Sequence, residues 1–362
     1  LQESGDAAKA LYFSNKHLHI CKQFYGELHP VTALAHNNLA EILCQNNQLS
    51  RALKHQKTAL TIYHKVYGRD HRMILVLQNI GGNYREAGET EKAKSYYQQA
   101  VKLARSFSEH KDELANSLIT LGVVLSELGD SAEAAAHIQE ALNLGEGPAQ
   151  PTTCAFGFEQ LGCISFNSGQ LDQAEYYFRK ALALLKSLEI KSHSDIIRLC
   201  SNIGDVLCDQ KKHLEAKQAF SDALAHSDNY PAQPIEEKAY LYRGLGMASA
   251  YLGELPDALD YLEKALSYYQ TVGNINGAWV VNILAQLSDL HYRQGELEPA
   301  IARQKAALDL SLKHCGANGK NTQTIQGNMD RLTAELESLQ ENPDTASSAD
   351  LSEAFNNSQA PD

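Results

Sequence analysis

The chain has 362 residues, 43% hydrophobic and 21% charged, which is enough apolar side chain to exclude a wholly disordered polypeptide. Lys and Arg number 32 against 44 Asp and Glu, a formal charge of -12, so the average field repels phosphate backbones and no nucleic-acid partner is expected. No run approaches the roughly 20 apolar residues that span a bilayer, and the opening Leu1-Gln2-Glu3-Ser4-Gly5-Asp6 lacks the basic region of a signal peptide. A cytoplasmic chain without direct membrane insertion is the expectation. Beginning on Leu within a helical pattern, it reads as an excised fragment.

In chain order, the first element is a helix around Gly5 to Ala10, half of a two-helix unit. Pairs of one large apolar and one small residue follow: Leu39-Ala40, Ile80-Gly81, Leu121-Gly122, Leu161-Gly162, Ile203-Gly204, Leu245-Gly246 and Leu287-Ser288. Successive small positions are 41, 41, 40, 42, 42 and 42 residues apart, the mark of a repeat architecture. After each pair come two alanines seven residues apart, from Ala52 and Ala59 to Ala300 and Ala307. Seven residues are two helical turns, so both alanines share one face and let a neighbouring helix approach closely. Between pair and alanines stand turns such as Gly88-Glu89, Gly129-Asp130 and Gly253-Glu254, which stop one helix and start another. Each unit is therefore a helical hairpin.

The stretch Leu77, Ile80-Gly81, Tyr84, Gly88, Ala93, Tyr97, Ala100 resembles the tetratricopeptide repeat over its whole pattern, and the other units differ from it at one or two positions. The resemblance runs over about residues 5 to 340: a half repeat, seven full repeats and a capping helix near Thr324 to Leu339. It implies an all-α, right-handed superhelical solenoid with a concave channel. The steps of 40 to 42 exceed the family's usual period of about 34. Tyr25-Gly26-Glu27-Leu28-His29-Pro30, Tyr67-Gly68-Arg69-Asp70-His71 and Leu34-Ala35-His36-Asn37-Asn38-Leu39-Ala40 resemble kinesin light chains, a likeness concentrated at about residues 20 to 80. His29 and His71 thereby read as capping or turn residues.

Two proline-bearing linkers break the rhythm, Gly145 to Pro151 and Asp228 to Pro234. The first is expected to be a flexible joint at 145–151. From 341 to 362 the composition shifts to an acidic tail without Lys or Arg, expected to be disordered. Its segment Asp350 to Phe355 combines acids with bulky apolar residues, which makes self-association through the tail a further reading.

Function is expected in the channel, lined by first helices. Asn38, Asn79 and Asn202 stand just before their pairs, where the resemblance implies a carboxamide that holds an extended peptide backbone by donating and accepting at once. Gly244 occupies the same register. Arg85, Arg198, Arg243 and Arg293 are placed near the channel, with Phe166, Tyr240, Tyr251 and Tyr292 among the aromatics of the later repeats. Arginine forks beside flat apolar rings are the composition of binding hot spots. The expected partner is a protein or peptide carrying acidic residues and a bulky apolar one.

The rival readings are weaker. Seven cysteines form an odd set without a C-x-x-C pair, so neither a disulfide framework nor a zinc knuckle is signalled. The 14 histidines include no His-Glu-x-x-His spacing, and Gly244-Leu245-Gly246 precedes no Lys-Ser/Thr. No enzyme activity, metal or cofactor is expected. The function implied is a scaffold or adaptor that binds a linear peptide, as kinesin light chains do. The alternative is a regulatory or targeting region of a larger signalling or effector protein.

Overall fold

A computed structural model describes residues 2–144, 150–188, 192–228, 234–271, 277–316 and 319–341. The tail 342–362, with Asp350 to Phe355, lies outside them, as do 145–149 of the expected joint and 229–233 of the second linker. The described residues form helices and turns, without strands. The chain divides into two compact units, Leu1–Leu188 and Glu189–Asp362.

In the first unit α1 (Gln2–Tyr25) packs on α2 (Pro30–Gln45). Four hairpins then pair α2 with α3 (Leu49–Tyr67), α4 (Arg72–Glu86) with α5 (Thr90–Ala104), α6 (Lys111–Glu127) with α7 (Ser131–Leu144), and α8 (Pro151–Asn167) with α9 (Leu171–Lys186). The second unit pairs α10 (His193–Asp209) with α11 (His213–Asp228), α12 (Ile235–Tyr251) with α13 (Leu255–Thr271), and α14 (Gly277–Arg293) with α15 (Leu297–Cys315). Helix α16 (Lys320–Glu341) closes it against α15. Within each unit, second helices pack on the first helices of their own and the next hairpin. First helices also touch one another, α2 with α4, α4 with α6 and α6 with α8, and in the second unit α10 with α12. That direct contact puts the first helices on the inner side of each stack.

The alanines behave as their spacing predicts. Thirteen of the fourteen in the seven pairs have no exposed surface and Ala141 has 2%. The small residue of each apolar-small pair is the other half of the contact. A methyl group added to Gly162 would lie 2.5 Å from the Phe178 ring, one on Gly204 2.7 Å from Phe220, and one on Gly246 2.6 Å from Leu262. Gly244, expected in the channel, instead packs on the same Phe220, where an added methyl would come within 2.6 Å. Phe220 is thus clamped between α10 and α12, and at this point the register before the pair turns toward a second helix.

The hairpin turns share one left-handed residue, Gly88 (φ 75°) being typical. Asn47 (φ 57°) and Lys211 (φ 62°) hold the equivalent place without glycine. Ahead of the hairpins, His29 caps α2 by accepting the Val31 amide on Nδ1 at 3.2 Å, with Pro30 in the first turn. His71 makes no such cap. Asp70 takes the role at α4, accepting from the Arg72 amide at 2.9 Å and from its guanidinium, which holds the Asp70 carboxyl below its ordinary value. The His71 ring stacks on His110 at 4.2 Å instead.

Two substitutions test this packing. Gly204→Ala forces Phe220 to shift and should cost about 1 to 3 kcal/mol in urea denaturation, as overpacking does. Lys211→Gly relieves a left-handed backbone and should add about 0.5 to 1 kcal/mol, less than the full strain because glycine loses more entropy on folding.

Candidate functional inner face

Counting back six residues from the small position of each pair gives a row along the inner helices. In the first unit it holds Leu34, Leu75, Asn116 and Phe156, all exposed. Polar groups of neighbouring first helices tie together beside it: Gln78 donates to Ser117 at 2.9 Å, Asn79 reaches Asn37 at 3.4 Å, and Arg85 pairs with Glu127 at 2.7 Å. Asn38 is exposed and Asn79 half-buried, while Phe166 lies half-buried on α8.

The same row in the second unit reads Arg198, Tyr240 and Asn282. Arg198 bonds Asp195 on its own helix at 2.6 Å, and Asn202 is half-buried one turn further on. The Tyr240 hydroxyl donates to the Asp205 carboxylate. Arg243 is only 8% exposed and lies against two perpendicular rings, 4.8 Å from the Tyr240 centroid and 4.5 Å from that of Trp279. It contacts the Met247 sulfur at 3.3 Å, and its Nε carries no hydrogen bond. Cation–ring contacts stabilise such a guanidinium by about 1 kcal/mol or more once water is removed.

Trp279 escapes the channel positions taken from the repeat, because it stands nine residues before Ser288, outside the span from six before to five after the small residue that holds the expected site residues. Its being the chain's single Trp was the available signal. Its ring also borders a recess of about 300 Å³, lined by Ala278, Asn282, Ala285, Asn321 and Ile325. Arg293 donates to the Ala250 carbonyl at 3.2 Å and lies 3.9 Å from Asp289. Tyr251 is exposed and stacks on His213 at 4.4 Å. Tyr292 is buried against Ala300 and Leu332, and its hydroxyl donates to Glu335. The nominated residues therefore form no single cluster: Tyr240 and Arg243 meet, whereas Tyr292 belongs to the packing of α16.

These features coincide with direct comparisons. The tetratricopeptide repeat family model matches residues 1–65, 31–106, 73–146 and 237–313, and a second model of that repeat matches 158–184. The chain belongs to the tetratricopeptide repeat family. Two kinesin light chain-related proteins of Arabidopsis thaliana are similar to it, one at 23% identity over 57% of this chain and 32% of the relative, the other at 21% over 76% and 46%. The chain thus spans about a third to a half of those relatives. The type IV pilus assembly protein PilF of Pseudomonas aeruginosa is 24% identical over 58% of this chain and 71% of its own. Among solved structures, the quorum sensor NprR from B. thuringiensis superposes with a TM-score of 0.60 at 17% identity, over 84% of this chain and 87% of that one. BtubC (BKLC) from P. vanneervenii gives 0.54 at 15%, over 64% and 91%. At such identities the structures speak for the fold alone.

Within this tetratricopeptide repeat array, titration marks the inner face of the second unit. Burial pushes the Asp205 carboxyl up to about 6, against the opposing pull of the Tyr240 hydrogen bond and the Arg243 charge. Burial likewise raises Asp289 and the Tyr240 phenol. Among the described residues no group of three or more His, Cys, Asp or Glu side chains is placed to hold a metal ion.

The Asp205 shift has a signed consequence. The ordinary carboxyl value is 3.8 and the folded one about 6. The folded chain therefore binds more protons than the unfolded chain between those values, and stability falls as pH rises through that window. Asp205→Asn keeps an oxygen acceptor for Tyr240 and removes the charge. Relative to the parent it should gain about 2 kcal/mol at pH 7.5 and nothing at pH 3.5, measured by denaturant titration at both pH values.

Proposed function

We propose that the chain is a non-catalytic, cytoplasmic scaffold or adaptor whose inner helix faces hold a linear peptide of a partner protein, in the manner of kinesin light chains. The observation that supports this reading best is Arg243, a guanidinium against the rings of Tyr240 and Trp279 whose Nε has no hydrogen-bond acceptor. A carboxylate of the peptide supplies that acceptor once the guanidinium turns out of its buried position, and a bulky apolar side chain finds flat surface beside it. Membership of a repeat family built for protein contacts supports the broader statement, that the partner is a protein. No helix among the described residues is long and apolar enough to cross a membrane.

In this reading Asn38, Asn79 and Asn202 hold the peptide backbone, Arg85, Arg198 and Arg293 attract its acids after exchanging their present partners, and Phe166 and Tyr251 offer further apolar surface. Tyr292 contributes through α16. A second reading, a regulatory or targeting region within a longer signalling or effector protein, is favoured by the greater length of the Arabidopsis relatives.

The test is an array of peptides carrying one Trp, Phe or Leu among Asp and Glu, beside the same peptides with Lys for the acids. The acidic set should bind preferentially, and Arg243→Met with Arg293→Gln should weaken it at least tenfold while the melting temperature stays within a few degrees. Changing Asn38, Asn79 and Asn202 together to Ala should weaken all bound peptides regardless of side-chain sequence. Equal binding of acidic and basic sets, or full binding by the arginine variant, refutes the assignment.

A further inference from the structure

Helix α3 differs from the later second helices in its charge. Between Glu41 and Asp70 the chain holds Arg51, Lys54, Lys57, Lys65 and Arg69 and no acid, although its net charge is -12. The second helices from α5 to α15 each contain at least one acid, and every one of them that carries Lys or Arg forms an ion pair: Lys94 with Asp130, Arg179 with Glu175, Lys217 with Glu254, Lys264 with Asp260 and Arg303 with Glu263. Among the described residues none of the five cations around α3 meets a carboxylate. Arg51 donates to the Gln48 side-chain oxygen at 2.5 Å.

The cations lie on one side. Ala52 and Ala59 fix the buried side of α3, and opposite them Ser50, Lys54, Lys57, Thr61 and Lys65 follow at steps of three and four, all exposed, over about 22 Å of helix. The same side is exposed on later second helices, where it holds Ser95 and Gln98 on α5 and Asp260 and Ser267 on α13. Its exposure at α3 thus follows from the hairpin, and only its charge is particular. An open recess of about 510 Å³ lies along it, bounded by Ser50, Leu53, Lys54, Lys57, Thr58 and Thr61. Like charges three and four residues apart repel, and no acid of α3 offsets them. His55 registers that field: burial, then the charges of Arg51, Lys22 and Lys54, hold its imidazole below the ordinary value.

The face also selects among anions. The Thr58 and Thr61 hydroxyls already donate to the carbonyls of Lys54 and Lys57, at 2.9 and 2.8 Å, so they do not serve as donors to a phosphate. What the face offers is ammonium groups spaced along a helix, which match carboxylates spaced along a polypeptide better than one compact phosphate. The negative average of the chain opposes an extended polyanion or an anionic bilayer, because either would meet more of the molecule than this helix.

We propose that the outer face of α3 docks an acidic segment of a partner polypeptide, whose carboxylates meet Lys54, Lys57 and Lys65. This surface is separate from the inner face and does not depend on the peptide reading above.

The probe is a fluorescein-labelled peptide of about 16 residues, long enough as a helix to cover the stripe, with glutamates at steps of three and four. A twin carries glutamine in their place. Anisotropy titrations with the full chain should show the glutamate peptide binding at least tenfold more tightly than the twin, and weakening at least tenfold from low to physiological salt. Lys54→Gln, Lys57→Gln and Lys65→Gln together, all exposed and without ion pairs, should keep the fold and weaken binding at least tenfold. Because the inner face is also assigned acidic peptides, location is read separately: carbodiimide coupling of the native chain to the peptide, followed by mass spectrometry, should place amide bonds at Lys54, Lys57 and Lys65. Equal binding of the two peptides, full binding by the triple variant, or coupling confined to other lysines overturns the proposal. So does tighter binding of a single-stranded RNA of the same length or of phosphatidylserine vesicles, lost in the triple variant, since a phosphate-bearing partner would then be the occupant.

Discussion

The structure depends on one steric contact repeated along the chain: a residue with little or no side chain on a first helix lets a large residue of its partner helix come within van der Waals reach. Gly162 against Phe178 and Gly204 against Phe220 leave no room for a methyl group. The alanines of the second helices make the reciprocal allowance and are buried almost without remainder. A lone hairpin cannot bury both of its apolar sides, so stability in such arrays comes from neighbours, and each unit specifies the position of the next.

Because close packing consumes one face of every first helix, the opposite face is left for chemistry, and the two units use it differently. The first presents a mainly apolar row, Leu34, Leu75, Asn116 and Phe156, with amide and ion-pair ties between helices. The second presents charge held under partial burial: a carboxylate bonded by Tyr240, a guanidinium against two rings and a raised aspartate on α14. Such groups are costly to desolvate without partners. Their presence in helices that already stack well is the ground on which recognition is proposed for this face.

The ends of the array obey the same contact in opposite senses. Helix α16 carries Asp330 at the position reserved for small residues, which keeps its outer side polar and unsuited to another helix. Helix α1 carries Phe13, Ile20 and Phe24 on an open side.

The hairpin count, the alanine faces and the family were legible from residue spacing, because helical period and close contact both leave a mark every few residues along the chain. His29 as a cap was legible for the same local reason, whereas the neighbouring His71 gave way to Asp70, whose carboxylate accepts an amide more readily than an imidazole does. Only the tertiary structure decided which inner-face side chains meet. Tyr240, Arg243 and Trp279 come from two helices 36 residues apart in sequence at their nearest, Gly244 turned out to serve Phe220, and Tyr292 was drawn into the closing helix. Repetition encodes the backbone because every unit obeys one rule. Side-chain contacts between units follow from where neighbouring helices lie in space, and no periodicity within a single helix records that.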